Sequence, residues 1–452
     1  MRLFLAILVG KLISLLTRSL NIGGGSAAPG LYALKFDPHL IEKLSKKTTY
    51  ANVLITGTNG KTTTARLLAH FAKAHGWKVI RNHTGSNLER GIASSLIAHY
   101  DLFGYFKKKN LKEQGIAIWE ADEAAFNSLA TKINPEVIVF LNTFRDQLDR
   151  YGEVDSVVKK WRQTLKDLEK NDPSASLTVI FANGDDINTA KLKNDFKGEV
   201  SLFGIENHKI RGEGNTLQYS PKLDIEAKKI KFHGLNGSSF KIKVYEQEEN
   251  INLPLPGAYN VYNFIAAAAV GACFEFKLNI IKNSLKSFSS AFGRAEKLPF
   301  GYIFLIKNPE GATQVFQTIA PQIKKNDRLL LALNDNLADG TDVSWIWDAE
   351  FESLRGPKTR GNLFNEKIAS SMTPRNDVIC SGTRAADLAV RLKYAGFKAS
   401  QITVEPSLES ALEAGRAGLQ GSLYILPTYT AMLAIQGILA KMGLKGEYWR
   451  ET

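Results

Sequence analysis

The sequence predicts an α/β protein built on mostly parallel sheets, and three observations carry that prediction. Short apolar, β-branched runs alternate with helical patterns from Asn52 to Phe203. Residues 55–64 read ITGTNGKTTT at the junction of one such strand and the helix that follows it. A second strand–helix alternation begins near Tyr302 and runs towards the C-terminus. Such alternation implies sheets covered by helices on both faces.

The elements follow from local pattern. Asn52-Val-Leu-Ile-Thr56 is a buried-strand run, and after Lys61 the apolar residues Leu67, Leu68, Phe71 and Ala72 recur at helical spacing. Further strands are expected at Lys78–Arg81, Gly115–Glu120, Glu136–Leu141, Leu177–Ala182 and Glu199–Phe203. Residues 206–253 break the rhythm with charged β-like segments, Lys228–Phe232 and Phe240–Val244, and an Asn236-Gly237 turn, so a β insertion is expected there. A helix over Tyr259–Phe274 resumes the first unit. The second unit offers strands at Arg328–Leu333, Val378–Ser381, Ile402–Val404 and Leu423–Leu426, and a helix over Arg384–Tyr394. The expected organisation is an N-terminal helical extension (1–45), a central domain (46–297) and a smaller C-terminal α/β domain (298–452).

Composition frames this reading. At 452 residues the chain exceeds one ordinary core, and 44% hydrophobic and 23% charged residues are values of a soluble globular protein. The net charge of +13 comes largely from scattered lysines, with no interleaved aromatics and no nucleic-acid motif, so no nucleic-acid partner is expected. The two cysteines, Cys273 and Cys380, sit in apolar sequence and read as buried thiols of a reducing compartment. The N-terminal MRLFLAILVGKLISLLTRSL is interrupted by Lys11 and Arg18, too early for a span of about 20 apolar residues. Lys11, Ser14 and Arg18 form a polar stripe on it. A helix packed on the first domain and a helix lying on the membrane surface are both favoured over a cleavable signal. The expected location is cytoplasmic, with a peripheral place on the inner membrane face left open.

The chemistry starts at ITGTNGKTTT. It departs from the G-x-x-x-x-G-K-[ST] phosphate loop by reading G-x-x-G-K-T-T. A strand, a glycine turn (Gly57, Thr58, Asn59, Gly60) and a helix N-terminus still aim free amides and a positive dipole end at one point. Lys61 adds charge for phosphates, Thr62 a hydroxyl for Mg²⁺, and Thr63 continues the first turn. A bound nucleotide is expected here. Glu120 and Asp122-Glu123 end a predicted strand, at the edge where ligands of open α/β sheets collect, and a carboxylate there can hold Mg²⁺ opposite Thr62. Asn142–Glu153 is a polar loop after the next strand, read as ligand-facing or as a helix cap. Pro256-Gly-Ala-Tyr-Asn-Val-Tyr-Asn263 opens a helix in which Asn260 is a cap and Asn263 can meet a purine edge. Leu333–Asp348 carries Asp335, Asp339, Asp342 and Asp348 next to two tryptophans, in a spacing that does not fit a calcium loop.

ITGTNGKTTT, the Glu120 strand end, Pro256–Asn263 and Phe292-Gly-Arg-Ala-Glu296 together resemble the central domain of the Mur ligase family. Amino-acid-adding members carry a D-Y-A-H-N-P-type loop, whereas Leu305-Ile-Lys-Asn-Pro-Glu-Gly311 lacks its aspartate and histidine. Asn334–Asp348, Ser381-Gly-Thr-Arg-Ala385 and Pro427-Thr-Tyr-Thr430 are instead similar to the MurT-type subunits of that family. The resemblance spans residues 20 to 440 or so and implies a Mur ligase-like P-loop central domain plus a Rossmann-like C-terminal domain. It implies an ATP- and Mg²⁺-dependent ligase of peptidoglycan synthesis. Such subunits phosphorylate the α-carboxylate of D-glutamate in lipid II, and ammonia from a GatD-like glutaminase partner then gives D-isoglutamine. Residue by residue, it makes Thr62 and Glu120 Mg²⁺ ligands, Asn263 and Arg294 nucleotide contacts, and Gly85 and Asn87 a second active-site loop. It makes Asp342 the residue that completes the glutaminase Cys–His pair in trans. MurT-type chains commonly insert a four-cysteine zinc ribbon. The insertion here has no cysteine, so no zinc is expected. Two other readings stay open: a Mur- or folylpolyglutamate-type ligase that adds an amino acid directly, and a non-catalytic P-loop assembly subunit.

Overall fold

The computed structural model describes residues 1–19, 27–48, 50–82, 86–107, 113–144, 154–171, 178–207, 221–288, 294–355 and 378–444. Two sheets organise them. The first contains β1 (Ala51–Thr56), β2 (Lys78–Arg81), β3 (Gly115–Glu120), β4 (Val137–Phe140), β5 (Val179–Asn183), β6 (Val200–Ile205), β7 (Ile225–Phe232), β8 (Ser238–Val244) and β9 (Gln247–Leu253). Their spatial order is β2-β3-β1-β4-β5-β6-β7-β8-β9. Pairing is parallel from β2 through β7 and antiparallel across β7–β8 and β8–β9. The β segments after residue 206 therefore extend the main sheet, because β7 pairs in register with β6 (Phe203 opposite Ile225).

The second sheet holds β10 (Arg294–Leu298), β11 (Gly301–Phe304), β12 (Arg328–Ala332), β13 (Val378–Ser381), β14 (Ile402–Val404) and β15 (Leu423–Pro427), in the order β10-β11-β15-β12-β13-β14. Only β10 runs antiparallel to its neighbour. Both sheets are α/β, with central strands buried along nearly their whole length, as continuous apolar runs require.

In the first sheet the chain leaves β1 towards one edge and later crosses to β4 on its other side. The crevice beyond the C-terminal ends of β1, β3 and β4 is thus a topological switch point. Side-chain alternation splits the core there. Val53 and Ile55 face Leu67, Leu68 and Phe71 of α4 (Lys61–Ala74) and the small-residue helix Ala258–Cys273. Leu54 faces Trp119, Phe126 and Trp161 on the other side. α1 (Arg2–Ser19), α2 (Ala28–Phe36) and α3 (Leu40–Ser45) also cover that side, against α5 (Glu89–His99) and α6 (Phe126–Ile133).

Cys380 is buried on β13, and burial pushes its thiol up to about 12. Cys273 is exposed, which corrects the expectation of two buried thiols: it is the last residue of its helix, beyond the buried run that ends at Gly271. Among the described residues, no group of three or more His, Cys, Asp or Glu side chains is arranged to hold a metal. No described helix is long and apolar enough to cross a membrane.

Trp161 is fully buried, with its ring 4.9 Å from Phe140 and 6.0 Å from Phe126. Trp161→Ala is expected to cost about 4 kcal/mol of unfolding free energy, read by denaturant titration. A loss below about 1 kcal/mol would contradict this packing.

Candidate functional site

The site is built where β1 hands over to α4. Gly57 and Gly60 both take positive φ, 127° and 93°. A Cβ on Gly60 would lie 2.1 Å from Asn263 Oδ1, so only glycine fits this turn. The N-cap position of α4, Gly60, makes no side-chain cap bond, and the first turn has no acidic residue, so the positive dipole end there favours an anion.

The loop is held from three sides. From β4, Asn142 accepts from Asn59 N (2.8 Å) and donates to Asn59 O (3.0 Å), while its backbone carbonyl accepts from Thr58 N (3.0 Å). Thr143, next along, hydroxyl-bonds Asp186 at 2.9 Å, and burial pushes that carboxyl up. From behind, Asn263 packs on Gly60 and accepts a long bond from Thr64 Oγ1 (3.5 Å). Its amide donates to Asn260 Oδ1 (3.2 Å). From the second sheet, Asn308 and Asn59 exchange side-chain amide bonds of 3.0 and 3.3 Å, and Lys307 Nζ donates to Thr58 O at 3.4 Å.

The chemical groups sit in front of that frame. Thr62 Oγ1 donates to Glu120 Oε2 at 2.6 Å, so the hydroxyl and carboxylate expected to share a cation are adjacent. Glu120 is fixed through its backbone by Asn82, which accepts from Glu120 N (2.9 Å) and donates to Glu120 O (3.0 Å) and Ser86 O (2.8 Å). A hard oxygen donor pair beside the positive end of a helix dipole suits Mg²⁺ and a polyphosphate.

Lys61 is buried and donates to Gly57 O, to Thr58 O at 3.3 Å and to Glu123 Oε2 at 3.0 Å. Burial raises the Glu123 carboxyl, but the Lys61 and Lys307 ammonium groups outweigh that and hold it below the ordinary glutamate range. Lys307 thus brings a second positive charge to the same anionic position from the other sheet.

Asn87 sits beside this edge: its backbone carbonyl accepts from Asp122 N at 2.9 Å, and Asn87 Nδ2 donates to Asp122 Oδ2 at 3.5 Å. Gly85 and residues 145–153 lie outside the described residues. Arg294 falls on β10 of the second sheet.

The aspartates after β12 divide by role. Asp339 accepts from Thr430 N (2.8 Å) and from its hydroxyl, and Asn334 and Asn336 donate to the same oxygen at 2.9 and 2.8 Å. Asp335 accepts from Thr383 Oγ1 (2.9 Å) and pairs with Arg384 (3.2 Å). These bonds tie the loop to the Ser381–Ala385 and Pro427–Thr430 segments. Asp342 is exposed, and Oδ1 accepts from Ser344 N at 2.8 Å to open the short 3₁₀ turn Ser344–Trp347.

Asn82, Lys307 and Asn308 were not singled out by the sequence reading. Asn82 carries a usable signal, a polar residue directly after a strand at the ligand edge. Lys307-Asn308 lay in a stretch read only for the residues it lacks.

Comparison with solved structures gives the class. The chain superposes on a MurF from Acinetobacter baumannii with a TM-score of 0.66 at 18% identity, covering 92% of this chain and 81% of that one. A Mycobacterium tuberculosis folylpolyglutamate synthase complexed with ADP and AMPPCP superposes with a TM-score of 0.62 at 15% identity, covering 90% and 95%. The fold is therefore that of the Mur ligases.

Sequence relatives narrow it further. Residues 55–271 match the Mur ligase middle domain and residues 305–432 the MurT ligase C-terminal model. The chain is 30% identical to a Streptococcus pneumoniae protein over 93% of both lengths, and 29% identical to one from Staphylococcus aureus over 96% of both. Each is named lipid II isoglutaminyl synthase (glutamine-hydrolyzing) subunit MurT. The chain belongs to the MurT family.

Glu123→Gln would leave Lys61 and Lys307 without their shared counter-charge and is expected to cost about 3 kcal/mol, measured by urea unfolding. The carboxyl titrates below its ordinary value of 4.5, so this stabilisation is complete above that pH and is lost as pH falls through the lower folded value. Equal stability of variant and wild type at pH 7 would refute the pairing.

Proposed function

We propose that the chain is the ATP-dependent synthetase subunit of a glutamine-hydrolysing amidotransferase pair that amidates lipid II. In this reading it converts the α-carboxylate of D-glutamate to the amide. The observation that carries the proposal is the convergence of Lys61, Thr62 and Glu120 on the uncapped start of α4, in a chain whose second half matches the MurT-type C-terminal domain.

ATP phosphates would bind the 57–63 loop, with the α4 amides and Lys61 neutralising their charge. Thr62 and Glu120 would hold Mg²⁺, which supplies charge neutralisation to the transferring phosphoryl group. Lys61 would exchange its contact with Glu123 for phosphate oxygen, and Lys307 would add charge from the second sheet. The substrate carboxylate becomes an acyl phosphate, and a neutral amine displaces phosphate from it. That amine would be ammonia from a GatD-like glutaminase docked on the C-terminal domain. There Asp342 would orient the histidine of the partner's Cys–His pair. Asn263, packed on Gly60, would act on the nucleotide by shaping the loop. We also propose boundaries near residues 45 and 297 for the central domain.

A ligase adding an amino acid directly is the less supported reading. The stretch Leu305–Gly311 lacks the aspartate and histidine expected for it, although the MurF fold is shared.

Two variants test this. Lys61→Ala is expected to lower amidation by roughly a thousandfold, assayed with lipid II, ATP and glutamine in the assembled complex. Folding would be checked by circular dichroism, because Lys61 is buried. Near-wild-type turnover in a folded variant would remove the nucleotide assignment.

Asp342→Asn is expected to suppress glutamine-dependent amidation by roughly a thousandfold or more while leaving ATP binding unchanged. Added ammonium should restore the product, since it bypasses the glutaminase. A variant equally inactive with glutamine and with ammonium would show that Asp342 has another role.

A further inference from the structure

Helix α1 packs on the protein through Ala6, Ile7 and Gly10 and carries a leucine-rich side outward. Of the stripe that the sequence marks as polar, Lys11 and Ser14 are half-buried. Lys11 Nζ donates to Ile97 O of α5 at 3.1 Å. Gly10 is buried so closely that a Cβ there would come within 2.7 Å of Ile97 Cδ1, and Ala6 and Ile7 are fully buried. On a 3.6-residue period the opposite side is the Leu5, Leu12 and Leu16 stripe, with Leu15 beside it. Those leucines are 40%, 51%, 57% and 63% exposed in that order. A helix that only served to cover the domain would be turned the other way, since exposing leucines forfeits the burial that favours docking.

The neighbours continue the pattern. α2, packed along α1, exposes Leu31, Tyr32 and Phe36, and Lys35 lies over the Tyr32 ring at 5.1 Å. On another side a tight turn presents Phe103 and Tyr105, each 70% exposed, and the Phe103 ring lies 5.8 Å from Phe4 of α1. The one acidic residue of that turn, Asp101, is used internally: its Oδ1 accepts from Phe103 N and Tyr105 N at 2.9 and 2.8 Å.

Charge selects the occupant. Residues 1–36 contain Arg2, Lys11, Arg18 and Lys35 and no acidic residue. Exposed Lys107 follows the aromatic turn, and the sequence continues as Lys108-Lys109. Leucines with flanking cations and an aromatic pair match the interfacial zone of an anionic bilayer, with the rings at headgroup depth.

We propose that the α1–α2 face and the Phe103–Tyr105 turn dock on an anionic phospholipid surface, α1 lying in the plane of the interface. No described helix is long and apolar enough to cross a membrane. The proposal is independent of the ligase reading, because binding is measured without turnover.

The test is vesicle flotation of the full chain at moderate salt. It should float with mixed phosphatidylglycerol–phosphatidylcholine vesicles and roughly tenfold less with phosphatidylcholine alone, and added salt should release it. The double variant Leu12→Glu with Leu16→Glu should lose flotation while its circular dichroism and melting temperature stay those of wild type. A second variant, Phe103→Ser with Tyr105→Ser, should weaken flotation without abolishing it. No flotation of the wild type, equal flotation with neutral vesicles, or full flotation of the leucine variant would each overturn the proposal. So would a wild-type dimer that the leucine variant turns into a monomer with no vesicle binding, which would make the face a contact between copies.

Discussion

A buried ammonium group organises this site. Lys61 sits at the start of a helix whose own dipole is positive there, so the surroundings must supply negative oxygen or the side chain would not stay buried. Two loop carbonyls and the Glu123 carboxylate supply it. Every other feature of the loop follows from keeping those oxygens in place. Gly57 and Gly60 take conformations that turn the carbonyls inward, Asn142 fixes the backbone from β4, and Asn263 fills the space behind Gly60. In the proposed reading an arriving phosphate would compete with Glu123 for the same ammonium, and its charge at the α4 N-terminus would offset the loss of that partner.

The second sheet takes part in the same balance. Lys307 and Asn308 stand at the start of the helix Pro309–Ile319, whose N-cap is Asn308 itself, bonded to Gly311 N at 2.8 Å. One side chain therefore caps its own helix and pairs with Asn59. A shift of that helix relative to the first sheet would break the amide exchange and withdraw the Lys307 charge together. The position of the second sheet is thus coupled to the charge seen by anything bound at the loop, and this follows from side chains that no phosphate-loop pattern includes.

How much of this was legible in the sequence depends on the range of the interaction. β3 and β13 fall on their predicted residues because a buried parallel strand writes itself as a local apolar run, and the more exposed edge strands β2 and β14 fall on theirs as well. The adjacency of Thr62 and Glu120 was also legible, since Thr62 opens the helix after one predicted strand and Glu120 ends another at the same sheet edge. Lys307 and Asn308 were not, since their partners in the phosphate loop lie 249 residues away; Asn82 carries only its place after a strand, and its bonds to Glu120 span 38 residues. The β insertion was recognised but its attachment was not: parallel pairing of β7 with β6 is set by register, and the charged face of β7 hides the buried alternation at Ile225 and Ala227.

The orientation of α1 shows a different limit. Periodicity identifies the two faces of a helix and is silent on which one meets the protein. Here Gly10 decides it. Its missing side chain allows close approach to α5, and the lysine one position on finds a backbone carbonyl at Ile97 instead of water. A glycine and a hydrogen-bonded lysine on one face make that face the docking side, although the leucines opposite are the more hydrophobic set. The leucine face is therefore left for a partner of low polarity. The absence of acidic residues over the first 36 positions restricts that partner to one that is neutral or negative. Of the two, the clustered lysines at 107–109 favour the negative.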